Sequence, residues 1–240
     1  KSNGGDSGPL ISSYTGRNGD SSAFDTSKPA ISLEKVVKTY VNAAGSFEAL
    51  KGVDMCIEFG QFVSLVGKSG SGKTTLLEKM ADMADFKFGV IEGDLETSRD
   101  AERIRAKGIP AYQIQTGSAC HLDAFMVHKG LHAMPMEAMD VCFIENVGNL
   151  VCPASYDVGS HLNIVLVSVP EGSDKIEKYP VMFRQADLVL ITKTDLLPYF
   201  DYDVAHEKSE ARRLKPGVDI LEVNIKDEAS VKRVIEWIEF

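Results

Sequence analysis

The segment Gly-Lys-Ser-Gly-Ser-Gly-Lys-Thr, at residues 67 to 74, has the composition of a phosphate-binding loop. It matches G-x-x-x-x-G-K-[ST], follows an apolar run at 61–66 and precedes a helix-like run at 74–83. Glycines let successive backbone N–H groups face an anion, and the following helix adds the positive end of its dipole. The segment therefore predicts a nucleoside triphosphate site. The residues expected to bind the nucleotide there are Gly67, Lys68, Ser69, Gly70, Ser71, Gly72, Lys73, Thr74 and Thr75.

Two side chains of this loop have specific expected roles. Lys73 is expected to reach the β- and γ-phosphates, and the Thr74 hydroxyl is expected to bind Mg²⁺. Lys68 has two interpretations. It resembles a lysine that crosses a dimer to the partner's phosphates in some related ATPases and GTPases, but the same loop sequence occurs in transporter ATPases, which favours a local role.

A second segment, Thr192-Lys193-Thr194-Asp195, follows an apolar strand-like run at 188–191 and indicates guanine. GTPases carry N/T-K-x-D at this place. Asp195 can accept hydrogen bonds from guanine N1–H and from the exocyclic amine, whereas adenine offers neither at that edge. Lys193 is expected to lie along the base. Thr192 stands where asparagine is usual, so the match is slightly weaker.

Three carboxylates, two at strand ends and one at the start of a predicted helix, are candidates for the Mg²⁺ site and for catalysis. Glu145 and Gly148 occupy the place where GTPases carry D-x-x-G, so we expect Glu145 to reach Mg²⁺ and the Gly148 N–H to sense the γ-phosphate. Asp94 and Asp100 are candidates for the first switch, one binding Mg²⁺ and the other orienting the attacking water. The alternative for these two aspartates is a turn residue and a helix-start residue.

Cys120, His121 and Cys152 form a candidate metal site. Thiolate and imidazole are suitable ligands for Zn²⁺ or Ni²⁺. Their spacing is unlike that of a zinc finger, so half-buried structural side chains are an open alternative. Cys152 follows Gly148 by four residues, so a metal at this site would respond to the nucleotide state. Three ligands leave a fourth position, which a symmetric partner could supply.

The remaining histidines and cysteines have simpler interpretations. His121, His128 and His132 fit one helix face, which suggests either an auxiliary metal reservoir or a solvated face, and we favour the solvated face. Cys56 and Cys142 lie in apolar runs and are expected to be packed thiols. For a chain built around a nucleotide site, free thiols or metal ligands are expected rather than disulfides.

The elements that position these residues follow from the alternation of apolar runs and helical patterns. Residues 1–30 are rich in Gly, Ser, Asn and Asp and are expected to be disordered. Residues 31–41 and 49–59 alternate as a small antiparallel β element, and residues 61–240 form one P-loop domain. That domain is predicted to be α/β, with a mainly parallel sheet flanked by helices on both faces. Its strands are predicted at 62–66, 88–92, 111–115, 141–145, 163–169, 188–192 and 219–223, with helices at 74–84, 98–107, 121–133 and 203–214.

Composition restricts the partners. A net charge of −9 without a basic block disfavours nucleic acid as a ligand. No apolar run approaches the ~18 residues of a membrane span, so membrane insertion is not expected. The N-terminal residues lack the apolar core of a signal peptide, which predicts a cytoplasmic location.

Residues 88 to 235 resemble the HypB family, the nickel-incorporation GTPases of hydrogenase maturation, with UreG as a more distant relative. The segments that carry the resemblance are Glu92-Gly93-Asp94, Asp100 to Arg103, Thr116 to Ala124, Ile144 to Ala154 and Thr192 to Leu196. The resemblance implies GTP hydrolysis, GTP-dependent homodimerisation, other hydrogenase-maturation proteins as partners, and a metal site at the dimer interface. Cys120, His121 and Cys152 match the family's ligand positions. Turnover is expected to be slow because no built-in arginine finger is evident.

Two departures qualify this resemblance. Residues 1–60 hold one cysteine and no histidine, so the metal-binding segment that some members carry is not expected within them. Residues 31–77 instead resemble the start of an ABC-transporter ATPase, in which Tyr40 would stack on adenine. The sequence is therefore interpreted as a fusion. An ABC-type ATP-binding subunit and a fusion that binds without hydrolysis are the alternatives, although the ABC signature L-S-G-G-Q is absent from the sequence.

Overall fold

The computed structural model describes residues 31–42, 45–57, 61–94 and 99–239, with side chains from residue 62 onward. The chain divides between residues 59 and 60 into two units. In the first unit, strands β1 (Ile31–Asn42) and β2 (Gly45–Ile57) pair antiparallel, as the alternation predicts. The expectations for residues 1–30, for Tyr40 and for Cys56 lie outside the described residues or side chains.

The second unit is built on a seven-stranded parallel sheet. Its strands are β3 (Gln61–Gly67), β4 (Phe88–Asp94), β5 (Ala111–Gln115), β6 (Val141–Glu145), β7 (Leu162–Ser168), β8 (Leu188–Thr192) and β9 (Asp219–Val223). Their order is β5-β4-β6-β3-β7-β8-β9, and every neighbouring pair is parallel. Strand β3, which leads into the glycine-rich loop, is therefore at the centre. Ligands of such sheets bind beyond the carboxyl ends of the strands.

Helices cover both faces of this sheet. They are α1 (Lys73–Met83), α2 (Arg99–Ala106), α3 (Ala124–Leu131), α4 (Lys175–Lys178), α5 (Pro180–Gln185), α6 (Val204–Leu214) and α7 (Glu228–Glu239). Successive residues of β3 face opposite ways, since Leu65 packs in a cluster with α1 and α7 whereas Val66 packs in a cluster with α5 and α6. Trp237 of α7 is in the first cluster, and its indole N–H donates to Asp219 at 2.9 Å.

The predicted fold class is confirmed, and each of the seven predicted parallel strands is present within one or two residues. The third helix differs, because α3 begins at Ala124 rather than at residue 121. Asp123 is its N-cap and accepts from the Met126 N–H at 2.8 Å, which leaves Cys120 and His121 in the preceding loop. The prediction that His121 shares a helix face with His128 and His132 is therefore wrong.

In the part of the chain that the structure describes, no helix combines the length and apolar character needed to cross a membrane.

Candidate functional site

The loop between β3 and α1 has the backbone of an anion-binding turn. Gly70 and Gly72 have φ values of 82° and 100°, which residues with a Cβ rarely adopt. Helix α1 begins at Lys73, so its free N–H groups open toward the loop. The Lys73 ammonium donates to the carbonyl oxygens of Gly67 at 2.9 Å and Lys68 at 3.3 Å. The loop therefore holds a buried cation beside a set of backbone donors, as a phosphate site requires.

Thr192, the last residue of β8, anchors this loop through its side chain. Its hydroxyl donates to the Ser71 carbonyl at 2.6 Å and lies 3.3 Å from the Val167 carbonyl. The threonine that weakened the sequence match thus makes a direct link between the segment 192–195 and the β3–α1 loop. Lys193 follows with φ 59°, the one positive φ of a non-glycine residue among those described. This turn directs the chain away from the strand toward Asp195.

The Asp195 carboxylate is paired with Lys226, whose ammonium lies 2.8 Å from Oδ2. Lys226 follows strand β9, which neighbours β8 in the sheet. The Lys226 side chain is 76% exposed and that of Asp195 22% exposed. Sequence analysis did not single out Lys226, and its position after a strand end on the ligand side of the sheet was the available signal. An ion pair this exposed contributes little stability, so a ligand that hydrogen-bonds to the carboxylate could displace Lys226 at little cost.

Glu145, the last residue of β6, contacts Lys73 and Thr74 at the start of α1. Its Oε1 accepts from the Thr74 hydroxyl at 3.0 Å and lies 3.8 Å from the Lys73 ammonium. Its other oxygen, Oε2, is buried and has no hydrogen-bond partner among the described residues. A hydroxyl beside a carboxylate with a free oxygen fits Mg²⁺, a cation that prefers oxygen ligands.

Glu92, which sequence analysis named only as part of a family motif and gave no role, is the register partner of Glu145. The two lie on β4 and β6, and their buried carboxyl groups lie close enough that each shifts the pKa of the other. Burial, followed by the charge of Glu145, raises the pKa of Glu92 to about 10. Burial also raises the pKa of Glu145, although Lys73 opposes this effect. The pair therefore holds a proton at neutral pH.

This proton makes stability depend on pH. Between the ordinary pKa of 4.5 and the folded value of about 10, the folded protein keeps a proton that the unfolded chain releases. Stability therefore falls as pH rises through that window. We expect Glu92→Gln, which keeps a neutral side chain, to raise the Tm relative to wild type more at pH 8 than at pH 5, by an additional ~10 °C. Glu137→Gln, which changes an exposed glutamate, is the control in the same melting series. An equal Tm difference between Glu92→Gln and wild type at both pH values would contradict the raised pKa of Glu92.

Asp94 and Asp100 lie on the same side of the sheet. Asp94 ends strand β4, and its carbonyl accepts from the Thr116 N–H at 3.0 Å. Asp100, in the first turn of α2, accepts from Arg103 at 3.0 Å and raises the pKa of both Glu92 and Glu145. Arg103 also reaches Glu78 on α1 at 2.5 Å. Asp100 is therefore electrostatically coupled to the predicted Mg²⁺ site, and Arg103 is held by two carboxylates.

The loop that follows β6 touches the phosphate loop at Gly148. The Gly148 carbonyl accepts from the Ser69 N–H at 3.2 Å. A Cβ at position 148 would lie 2.8 Å from the backbone nitrogen of Ser69, closer than real Cβ contacts, so only glycine allows this approach. The two loops are thus in direct backbone contact where the terminal phosphate is expected.

Asn149 connects the same loop to the cysteines. Its side-chain oxygen accepts from the N–H groups of Val151 at 3.0 Å and Cys152 at 2.9 Å, and its amide donates to the Cys120 carbonyl. Asn146 adds a second link, because its oxygen accepts from the Leu122 N–H at 3.0 Å. The segment 145–152 therefore joins the phosphate loop to the loop that carries Cys120 and His121.

Cys120, His121 and Cys152 come together as predicted, with ligand atoms within 4.8 Å of one another. The structure joins the two cysteines as a disulfide, with a Cα–Cα distance of 6.2 Å. The expectation of free thiols or metal ligands rather than a disulfide is therefore wrong for this pair in the state described. His121 stacks on Tyr156, with ring centroids 3.5 Å apart, and its buried Nδ1 has no hydrogen-bond partner among the described residues. In the reduced state the group offers two sulfurs and an imidazole nitrogen, a set suited to Ni²⁺ or Zn²⁺.

The fourth cysteine, Cys142, is a packed thiol as predicted. It is 1% exposed, and burial raises the pKa of its thiol to about 12. It is therefore chemically inert compared with Cys120 and Cys152.

Comparison with known proteins agrees with this geometry. Residues 61–222 match the family model described as CobW/HypB/UreG, nucleotide-binding domain. The hydrogenase/urease maturation factor HypB of Helicobacter hepaticus is 51% identical over 181 residues, covering 74% of this chain and 75% of that protein. The crystal structure of HypB from Helicobacter pylori in complex with nickel is 47% identical, with a TM-score of 0.73, and covers 75% of this chain and 86% of that one. HypB from Archaeoglobus fulgidus is 38% identical, with a TM-score of 0.69, over 75% and 89% of the two chains.

The family match begins at residue 61. The resemblance of residues 31–77 to ABC-transporter ATPases gains no support from these comparisons.

Proposed function

Because the chain belongs to the CobW/HypB/UreG family of nucleotide-binding domains, we propose that it is a GTP-hydrolysing metallochaperone that delivers nickel during hydrogenase maturation. One observation carries the proposal. Segment 145–152 contacts Ser69 of the phosphate loop through Gly148 and contacts both cysteines through Asn149. A movement of this segment on hydrolysis therefore changes the metal ligands.

In the nucleotide part of the proposal, the β3–α1 loop binds the phosphates and Asp195 binds guanine. Lys73 neutralises the β- and γ-phosphate oxygens, for which it leaves the carbonyls of Gly67 and Lys68. Thr74, Glu145 and one of Asp94 and Asp100 would hold Mg²⁺, which supplies charge neutralisation to the departing phosphate. The remaining aspartate orients the water that attacks the γ-phosphorus, giving GDP and phosphate. Hydrolysis is slow because Arg103, the arginine at this site, is held by Glu78 and Asp100.

Nickel is the cargo of the proposed cycle, bound by Cys120, His121 and Cys152 in the reduced protein. A second copy of the chain completes the coordination in a GTP-dependent homodimer. Large apolar side chains flank the cluster at the surface, with Phe125 65%, Val151 60% and Tyr156 47% exposed. Exposed apolar surface beside an incomplete metal site supports pairing of two copies there. We further propose a cytoplasmic location and other hydrogenase-maturation proteins as partners. Zn²⁺ competes for the same ligands.

The test is a calorimetric titration of Ni²⁺ into reduced protein, first with GDP and then with a non-hydrolysable GTP analogue. We expect affinity or stoichiometry to differ between the two states, because the ligands move with segment 145–152. Asn149→Ala removes the link to Cys120 and Cys152, and we expect it to reduce that difference while GTP still binds. Coincident curves in the wild-type protein would remove the metallochaperone proposal.

The remaining alternative is a nucleotide- and metal-binding protein without hydrolysis. Phosphate release from GTP above the rate of a Lys73→Ala variant would exclude it.

A further inference from the structure

Helix α3 carries a pair of histidines that the proposed function does not use. His128 is in its last turn and His132 is its C-cap, so they are separated by four residues and lie on one side of the helix. Both are exposed, and their Nε2 atoms are 3.2 Å apart. Their ring centroids are 4.6 Å apart with an interplanar angle of 80°. The two imidazoles thus bring the same ring nitrogen, Nε2, close together at the exposed surface of the helix.

The distance between the two Nε2 atoms matches the distance expected for two imidazoles bound to one metal ion. Two imidazole nitrogens that each bind a metal at about 2.05 Å, and lie 3.2 Å apart, subtend an angle of about 100° at the ion. This is close to the ~109° of a tetrahedral site. Pairs of histidines at i and i+4 of a helix hold Zn²⁺ in other proteins for the same reason. The side chains therefore need little reorganisation to chelate.

The surroundings leave the pair accessible to a cation. The neighbouring ammonium of Lys129 lies over the ring of Phe125, 4.2 Å from its centroid. Water can fill the remaining coordination positions because both histidines are exposed. The competing interpretation is a hydrogen bond between two neutral imidazoles, one donating and the other accepting.

We propose that His128 and His132 form a second site for a divalent cation that takes imidazole ligands, Ni²⁺ or Zn²⁺, distinct from the cluster of Cys120, His121 and Cys152. The two sites lie at opposite ends of α3, since His121 precedes its N-cap by two residues. At 1.5 Å per residue, they are separated by roughly 10 Å along the helix axis. The proposal does not depend on GTP hydrolysis or on dimer formation.

The test separates the two sites by mutation. In a Cys120→Ser/Cys152→Ser protein, titration with Ni²⁺ or with Zn²⁺ should show one remaining ion per chain. Adding His128→Gln or His132→Gln should weaken that binding at least tenfold, because a single imidazole no longer chelates. Both positions are exposed, so circular dichroism should show an unchanged fold.

Two control variants test whether the position and the spacing of the histidines matter. One removes an exposed histidine elsewhere, and the other keeps the number of histidines but changes their spacing. His206→Gln changes another exposed histidine on a helix and should leave binding unchanged. Moving the second histidine by one residue, with His132→Gln and Ala133→His, should weaken binding as much as His132→Gln alone. Absence of metal binding in the Cys120→Ser/Cys152→Ser protein, or binding that survives loss of both His128 and His132, would overturn the proposal.

Discussion

Asp195→Asn is expected to reduce the preference for GTP over ATP, measured as the ratio of kcat/KM values, by about 100-fold. The carboxylate of Asp195 can accept two hydrogen bonds from guanine, whereas the amide keeps one acceptor and faces guanine with a donor. Loss of one charge-assisted bond costs about 1.5–3 kcal/mol, and each 1.4 kcal/mol is a factor of ten. A preference that stays at the wild-type value would remove Asp195 from the base site.

Lys226→Ala is the matched control for this change. It removes the ion pair with Asp195, at 2.8 Å, but keeps the carboxylate. Because the pair is exposed, we expect the preference for GTP to remain within a few-fold of wild type. A large loss in Lys226→Ala would mean that the lysine, rather than the carboxylate alone, determines base recognition.

Cys152→Ala is expected to weaken Ni²⁺ binding to the Cys120–His121 site by more than 100-fold while leaving GTP affinity unchanged. Loss of an outer-shell partner of a metal ligand typically costs 10–100-fold, and loss of a thiolate ligand costs more. The titration requires a reductant, since the thiolate binds metal and the disulfide with Cys120 does not. A fluorescent GTP analogue reports nucleotide binding in the same samples.

Cys142→Ala provides the matched control. Its thiol is buried in the core, so the change should lower the Tm slightly and leave nickel affinity intact. Oxidised wild-type protein should behave like Cys152→Ala toward nickel at this site. Nickel binding that survives Cys152→Ala at full affinity would exclude this cysteine from the ligands.

The parallel sheet was predicted well from the sequence because each of its strands is encoded by a short contiguous segment. The inner strands β3, β6, β7 and β8 are short runs rich in apolar residues, and burial of such runs between two helix layers is the expected outcome, whereas the outermost strands β5 and β9 mix polar with apolar residues. The phosphate loop and the segment at 192–195 were recognised for the same reason, since each is contiguous. The start of α3 was misplaced because Asp123 ends the loop with its own N-cap, which periodicity alone does not reveal.

Contacts between distant segments could not be predicted from the sequence. Glu92 and Glu145 are 53 residues apart, as their numbers give, and meet only through the register of β4 and β6. Asn149 reaches Cys120 across a separation of 29 residues, and Lys226 reaches Asp195 across 31. Both contacts depend on loop conformations that the sequence does not specify residue by residue. The candidate ligands were found, but the side chains that hold them were not.

Strand β3 is fourth of seven in the sheet, with three strands on either side. Strand β3 is hydrogen-bonded to a neighbour on both edges, whereas β5 and β9 each pair with one strand among the residues that the structure describes. Amide hydrogen exchange should therefore be slowest in β3, β6 and β7 and fastest in β5 and β9. Opening of the sheet margins leaves the strand beneath the phosphate loop intact, so partially unfolded forms of the domain should still retain nucleotide.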